Sequence, residues 1–503
     1  MRFEIRLEAV ILGGPMTGAL CRLIVALALL PTMSFARTDA VLAEAERLEL
    51  AGRFREAALV LSNALHQARL SAARRATLEF ELDRLDRIRK DFPLTQEALF
   101  EQVRNGVRDV TREEFDRWLA EGRFDSRVID GETRFMRSSL RNLFYRHPEL
   151  ESRRVKASDP GPVERARLET CRAVTRAAQL QGTPYVLPKR FHVQMIVTAK
   201  PDAAPDGALL RCWLPIPRAY PFQRDFKLLA ADPAVKKINP PDSPIRAAYL
   251  EQRVRADAPT RFRIEYEYTA SGVRFLINPD AVRRADPNDR RIAPWLREGP
   301  HVEFTPGIRA LSAQIVGNET HPYRIAKRCY DWIAANIRYS LAIEYSTIRN
   351  ISEYCRARGY GDCGQEALLF ITLCRLNGIP ARWQSGWNTF PNADDIHDWT
   401  EIWLDPYGWV PVDPYMGIWA TQYVRTLGDA EKREIHEFYF GGLDPWRMAA
   451  NRDHCQPLRP RKRSPRSDNV DFQRGELEWD GRNVYFDRFT YEFTVREIPP
   501  PEK

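Results

Sequence analysis

From residue 40 the apolar positions recur every three or four residues, the period of helices with one buried face. Ala40 to Gly52 and Phe54 to Leu61 predict a helix, a glycine turn and a second helix. A repeat array would need further copies. No second copy is found, so a helical bundle is expected. Thr111, three residues before Glu114, has the chemistry of an N-cap and should start another helix. The helical pattern continues over residues 133–146 and 162–180, broken at Pro160-Gly-Pro162. After Pro184 the period falls to two. Phe191, Val193, Met195 and Val197 alternate with polar neighbours, as do Phe262, Ile264, Tyr266 and Tyr268. With Leu209–Leu214 and Tyr249–Val254 these segments predict one antiparallel sheet with a buried and a wet face.

Prolines at 287, 294 and 300 mark a crossing into a third region, opened by a helix from Pro322 to Ile337. There the stretch Gly359-Tyr-Gly-Asp-Cys-Gly-Gln-Glu-Ala-Leu-Leu-Phe370 sets a thiol where a glycine-rich turn meets an apolar helix ending at Gly378. That helix is apolar on so many sides that it should be buried. Cys363 in its first turn faces the positive end of the macrodipole, which predicts a thiol tilted toward thiolate. A nucleophilic thiol needs a base and a group to orient the base. His397 lies on an alternating strand over residues 395–404, and Asp413 ends a second short strand over residues 408–413. Asp405-Pro-Tyr-Gly408 between them reads as the turn of a hairpin, which could set the histidine beside the aspartate.

The order Cys, His, Asp, in "YGDCGQEALLF", "GIPARWQSGW" and "HDWTEIWLDPYGWVPVDP", resembles the core of the transglutaminase-like superfamily of papain-fold cysteine enzymes over roughly residues 320–420. The resemblance implies Cys363 as nucleophile, His397 as general base and then acid, and Asp413 as the group orienting the imidazole. It also implies attack on an amide carbonyl, loss of an amine and release of the acyl group to water or another amine. Gly364, Gln365, Trp332, Tyr360 and Trp399 are further candidates for substrate or oxyanion contacts, and Glu344 and Tyr345 could line the cleft. "RCWLPIPRAYPFQ" resembles the β-domain preceding such cores, and residues 438–493 resemble the tail of exported bacterial members.

Composition narrows the picture. The 503 residues are 44% apolar and 11% aromatic, enough for about three domains with real cores. The net charge of +8 is spread over mixed-sign faces, and no nucleic-acid partner is expected. The basic run Arg459–Arg466, interrupted by two prolines, reads as a flexible linker. Arg22, the apolar run Leu23–Leu30, Pro31 and Ser34-Phe-Ala36 have the layout of a secretory signal, with Met16 the better start. Seven cysteines follow it, an odd number that leaves at least one free thiol. No zinc or calcium spacing occurs, so no metal and no cofactor are expected.

The reading is therefore an α+β chain. A signal peptide (1–36) precedes a helical domain (37–185), an antiparallel β-domain (186–280), a papain-like core (281–445) and a C-terminal β segment packed on that core (446–503). An exported, periplasmic or secreted cysteine peptidase or amidase is favoured, with a peptide or protein substrate, the cell-wall peptide included, and no stable membrane insertion after signal cleavage. A glutamine–lysine cross-linking transferase and a non-catalytic peptide- or glycan-binding protein are the alternatives.

Overall fold

The computed structural model describes residues 39–499 apart from 68, 157 and 158, so the secretory signal read over residues 1–36 lies outside the described residues. The fold is α+β and is organised around the helix Cys363–Leu376, buried at every position from Cys363 to Arg375. A capping box starts it. Asp362 Oδ1 accepts from Gln365 N at 3.1 Å, and the Gln365 side chain returns to Asp362 N at 3.4 Å. The chain leaves it through Gly378 at φ +75°, a left-handed conformation that favours glycine.

This helix packs against the helix Pro322–Asn336 and against a four-stranded antiparallel sheet. The strands run Gly408–Val412, Asp395–Leu404, Ala381–Asn388 and Arg447–Asn451, in that spatial order. The expected hairpin is present, with Leu404 opposite Gly408 and Thr400 opposite Val412. On its other side His397 faces Gly386 across the ladder.

The β-domain differs from the expected single sheet. Strands Gln223–Asp232, Thr260–Arg274 and Tyr185–Ala199 form one sheet, and Leu209–Pro215, Ala247–Arg253 and Lys237–Ile238 form another. Phe191, Val193, Met195 and Val197 from the first share a buried layer with Leu210, Cys212, Leu214 and Leu250 from the second. Two half-apolar sheets bury their faces against each other as a sandwich. The C-terminal residues complete both sheets. Phe489–Ile498 pairs along Tyr185–Ala199, and Glu476–Trp479 pairs with Leu209–Pro215. Trp387 of the core stacks on Phe493 with centroids 3.9 Å apart. The basic run is fixed, not a flexible linker. The buried carboxylates of Glu476 and Glu478 accept from Lys462 Nζ at 2.5 Å, Ser467 N at 2.9 Å and Arg463 N at 2.6 Å. Buried carboxylates must find donors, and this segment supplies them.

The N-terminal region is helical, Thr111 caps its helix as expected (Glu114 N to Oγ1, 3.1 Å), and a β-hairpin interrupts it. Residues 133–135, expected to be helical, lie on the strand Glu132–Phe135, because Asp130 and Gly131 both take positive φ and turn the chain back. The bundle is bolted to the rest of the molecule through buried polar groups. Arg87 donates to the carbonyls of Ser467 and Arg466 at 3.0 Å each. The helix Gly161–Gln181 packs elsewhere, its Leu168, Cys171 and Val174 lying against Met416, Ile435 and Phe438 of the core. No cysteine among the described residues is in a disulfide, and no helix among them is long and apolar enough to cross a membrane.

Gly386 is a point of failure in this arrangement. A Cβ there would lie 1.9 Å from the carbonyl oxygen of Met448 on the neighbouring strand. Gly386→Ala should cost about 3 kcal/mol by forcing the strands apart, read as a lowered midpoint of denaturant unfolding. A wild-type midpoint would show that the strand Arg447–Asn451 is not held in this register.

Candidate active site

Cys363 occupies the first position of its helix and lies at the seam of two cavities. One is bordered by Glu344, Tyr345, Asp362, Asp398 and Gln473, the other by His397, Tyr415, Met416 and Trp419. The imidazole is held from three sides. Nε2 lies 2.8 Å from Asp413 Oδ2, Trp399 stacks beneath the ring with centroids 5.7 Å apart, and Tyr415 meets it edge-on at 5.3 Å. With Nε2 committed to Asp413, Nδ1 is the nitrogen left for the thiol. Asp413 is fully buried. It also accepts from Met416 N at 3.0 Å and pairs with Arg447 Nη1 at 2.8 Å.

The electrostatics divide the site. Burial alone would raise the Asp413 carboxyl, but His397 and Arg447 hold it down to about 2, so it stays anionic. Burial lowers His397 against the pull of Asp413, and the ring rests neutral. Cys363 departs from the expected tilt toward thiolate. Burial, followed by the carboxyls of Asp398, Asp362 and Glu366, pushes it well above the usual thiol range. The thiol donates to Asp398 Oδ2 at 3.4 Å and makes no hydrogen bond to His397. The resting site is thus a neutral thiol and a neutral imidazole on one cleft, able to pass a proton when an electrophile arrives.

Residues 309–414 match the transglutaminase-like superfamily. The chain carries a transglutaminase-like core. No curated protein matches the chain. Similar solved structures include a candidate cysteine protease from Cytophaga hutchinsonii, 16% identical over 63% of this chain and 93% of its own, with a TM-score of 0.42. Another is the periplasmic domain of TgpA from Pseudomonas aeruginosa, 15% identical over 54% of this chain and 96% of its own, with a TM-score of 0.24.

The remaining candidates fall in different places around the transglutaminase-like core. A Cβ on Gly364 would lie 2.2 Å from the Tyr345 hydroxyl and 2.7 Å from Asp398 Oδ2, so only glycine lets those groups close on the helix start. Trp399 supports the imidazole from beneath and is fully buried. Gln365 is buried, its Oε1 taken by the capping box while its Nε2 has no partner among the described residues. Trp332 packs half-buried on the core and borders neither cavity. Tyr360 points away, donating to Asp125 at 2.5 Å under the Arg146 guanidinium. Glu344 and Tyr345 do border the cleft, and the Tyr345 hydroxyl donates to Asp362 Oδ1 at 2.6 Å.

The sequence pattern gave no sign of Arg447 or Gln473, which reach the site from the far end of the chain. Asp398 was visible as the neighbour of His397. Alternation put it on the opposite strand face, and the thiol reaches that face too.

These charges predict a pH profile. A thiol raised by burial and carboxylates is protonated at neutrality, so alkylation of Cys363 by iodoacetamide should keep rising from pH 7 to pH 10 with no plateau near neutrality. Asp398→Asn removes a carboxyl and supplies an N–H, which should move the profile toward lower pH. Mass spectrometry of the labelled peptide reads both. A plateau below pH 7 in the wild type would refute the neutral resting thiol.

Proposed function

We propose that this chain is an exported cysteine peptidase or amidase that cleaves peptide amides through Cys363, His397 and Asp413. The observation supporting it most is His397, bonded through Nε2 to a buried aspartate at 2.8 Å and facing the cavity that holds Cys363. In this reading the Sγ–H proton passes to His397 Nδ1 as sulfur attacks the carbonyl carbon. The oxyanion takes hydrogen bonds from the N–H groups of Cys363 and Gly364, which have no partner within the helix. His397 then protonates the departing amine, leaving a thioester on Cys363. Water, deprotonated by the same nitrogen, releases the acid and restores the thiol.

Hydrolysis is preferred to transfer because the seam beside the sulfur is bordered by the charged Arg141 and Asp395. Transfer to an amine needs water kept out, and a charged seam holds it. A peptide substrate, the cell-wall peptide included, fits the same chemistry, and export rests on the N-terminal pattern. The mature chain should begin at Arg37, and N-terminal sequencing that returned Met16 would remove the export part of the reading.

Turnover of a peptide library tests the rest. Cys363→Ala and His397→Ala should abolish acyl-enzyme formation. Asp413→Asn should lower it by about 10³-fold or more, since an amide cannot stabilise imidazolium by charge. It should also lower the unfolding midpoint, because Arg447 loses one of its two buried carboxylates. Wild-type turnover by Cys363→Ala would end the proposal.

A further inference from the structure

Five residues border both cavities at the seam, and one of them, Arg141, comes from the N-terminal bundle, on the helix Ser139–Arg146. Its position is built. On the adjoining residue, Asn142 Oδ1 accepts from Leu341 N at 2.8 Å and Nδ2 donates to Leu341 O at 3.0 Å, which clamps the helix to the cleft-lining segment. Tyr423 donates to the carbonyl of Tyr145 at 2.9 Å and holds the same helix from the core side. Asn142 is fully buried, whereas Arg141 is exposed over the seam.

The other arginines bordering the cleft are already occupied. Arg474 makes a two-point pair with Glu344 at 2.9 and 2.7 Å, and Arg167 lies 3.7 Å from Asp444 and 3.4 Å from the Tyr439 hydroxyl. Among the described residues Arg141 has no ion pair and no hydrogen bond. Asp395, the first residue of the histidine strand, borders both cavities as well; it accepts from Ile396 N at 2.8 Å and feels the Arg141 charge without forming an ion pair with it.

Three carboxyls deeper in the first cavity are already taken up by donors of the chain itself. Asp362 takes Tyr345 Oη and Gln365 N, Asp398 takes Gln473 Nε2 at 2.9 Å, and Asp468 takes Val470 N and Asp471 N at 2.9 Å each. Burial also raises Asp362 to about 6 and Asp468 to about 7, so part of their charge is withheld near neutrality. The unfilled group at the nucleophile is a guanidinium, whose planar fork of donors matches a carboxylate.

We propose that Arg141 binds a carboxylate carried by the substrate beside the scissile amide, so that the N-terminal bundle selects what the core attacks. This rests on Cys363 being the nucleophile. Because Arg141 and Cys363 share one seam, the carboxylate belongs to the residue flanking the amide, either as a free chain terminus or as an acidic side chain.

Iodoacetate and iodoacetamide are the probes, differing in a carboxylate one bond from the reacting carbon. In each, sulfur bonds to that carbon and iodide leaves. The iodoacetate-to-iodoacetamide rate ratio at Cys363, read by mass spectrometry, should fall about tenfold in Arg141→Ala, and by less in Arg141→Lys, which keeps the charge and loses the fork. Both variants should keep the wild-type melting temperature. Peptides ending in a free carboxylate, in a C-terminal amide, or in that amide with glutamate beside the scissile bond then show which source is read. An unchanged ratio in both variants, with Cys363 still labelled, overturns the role of Arg141 and leaves the nucleophile standing. If Cys363 takes up neither reagent, the nucleophile reading falls and this proposal with it.

Discussion

The site depends on keeping one carboxylate ionised where no water reaches it. Asp413 is wholly buried, and an isolated charge there would neutralise by taking up a proton. His397 and Arg447, each 2.8 Å away, prevent this, and Arg447 is itself held by Asp444 at 3.0 Å, with Arg167 lying 3.7 Å from Asp444. Two guanidinium and two carboxylate groups thus close a neutral set around a neutral histidine. Such a set adds little stability over apolar packing, but removing one member leaves its partner uncompensated. The sign of the linkage follows. Asp413 is depressed to about 2, so its contribution is complete above the ordinary carboxyl range and fades only as pH falls toward that value. Across working pH the imidazole has a fixed anion on Nε2, which fixes the tautomer and the direction in which Nδ1 points.

That requirement explains why the two ends of the chain meet at the cleft. Arg447 begins the strand that closes the core sheet, and the same tail supplies Gln473 to Asp398 and Arg474 to Glu344. From the other end, the bundle supplies Arg141 and the Asn142 clamp. The core contributes Cys363, His397 and Asp413, while the walls are borrowed from segments more than a hundred residues earlier and dozens of residues later. A buried polar network needs every member satisfied. Residues 420–499 and the bundle are therefore part of what holds the site, in addition to the 309–414 core.

How much of this was legible follows from the range of the interactions. The capping box, the glycine exit at Gly378 and the hairpin turn at Asp405–Gly408 are local, so the Cys363 helix, the strand carrying His397 and the strand that ends just before Asp413 could be read from neighbouring residues. The alternation of Phe191 to Val197 correctly marked a buried strand face. It carried no information on whether the facing layer came from the same sheet, and a second sheet supplied it. The basic run at 459–466 reads as solvated until Glu476 and Glu478 are known to be buried beneath it, and strands with charges on one face usually show those charges to water. Arg447, Gln473 and Arg141 share one reason for being missed. Their partners are set by tertiary pairing, with no spacing rule linking them to Cys363.

The thiol shows two rules competing on one residue. Position at a helix start favours thiolate by the macrodipole, an effect confined to the first turn and of order 1 kcal/mol. Burial and nearby carboxyls act the other way, and here they surround the sulfur. Burial and the charge of Asp471 raise Asp398 well above the usual carboxyl range, and burial raises Asp471 too, so negative charge is already disfavoured beside Cys363. A thiolate in that place would be repelled, so the larger set of interactions wins and the proton stays on sulfur. A neutral thiol is slow to oxidise and slow to exchange with disulfides, since the thiolate is the reactive form. The cost is a weaker resting nucleophile. It is offset only when the proton can leave in the same step that forms the carbon–sulfur bond, and that requires a base fixed at the cleft wall. On the proposed reading that base is His397, and the Asp413–Arg447 pair holds it in place before any substrate arrives.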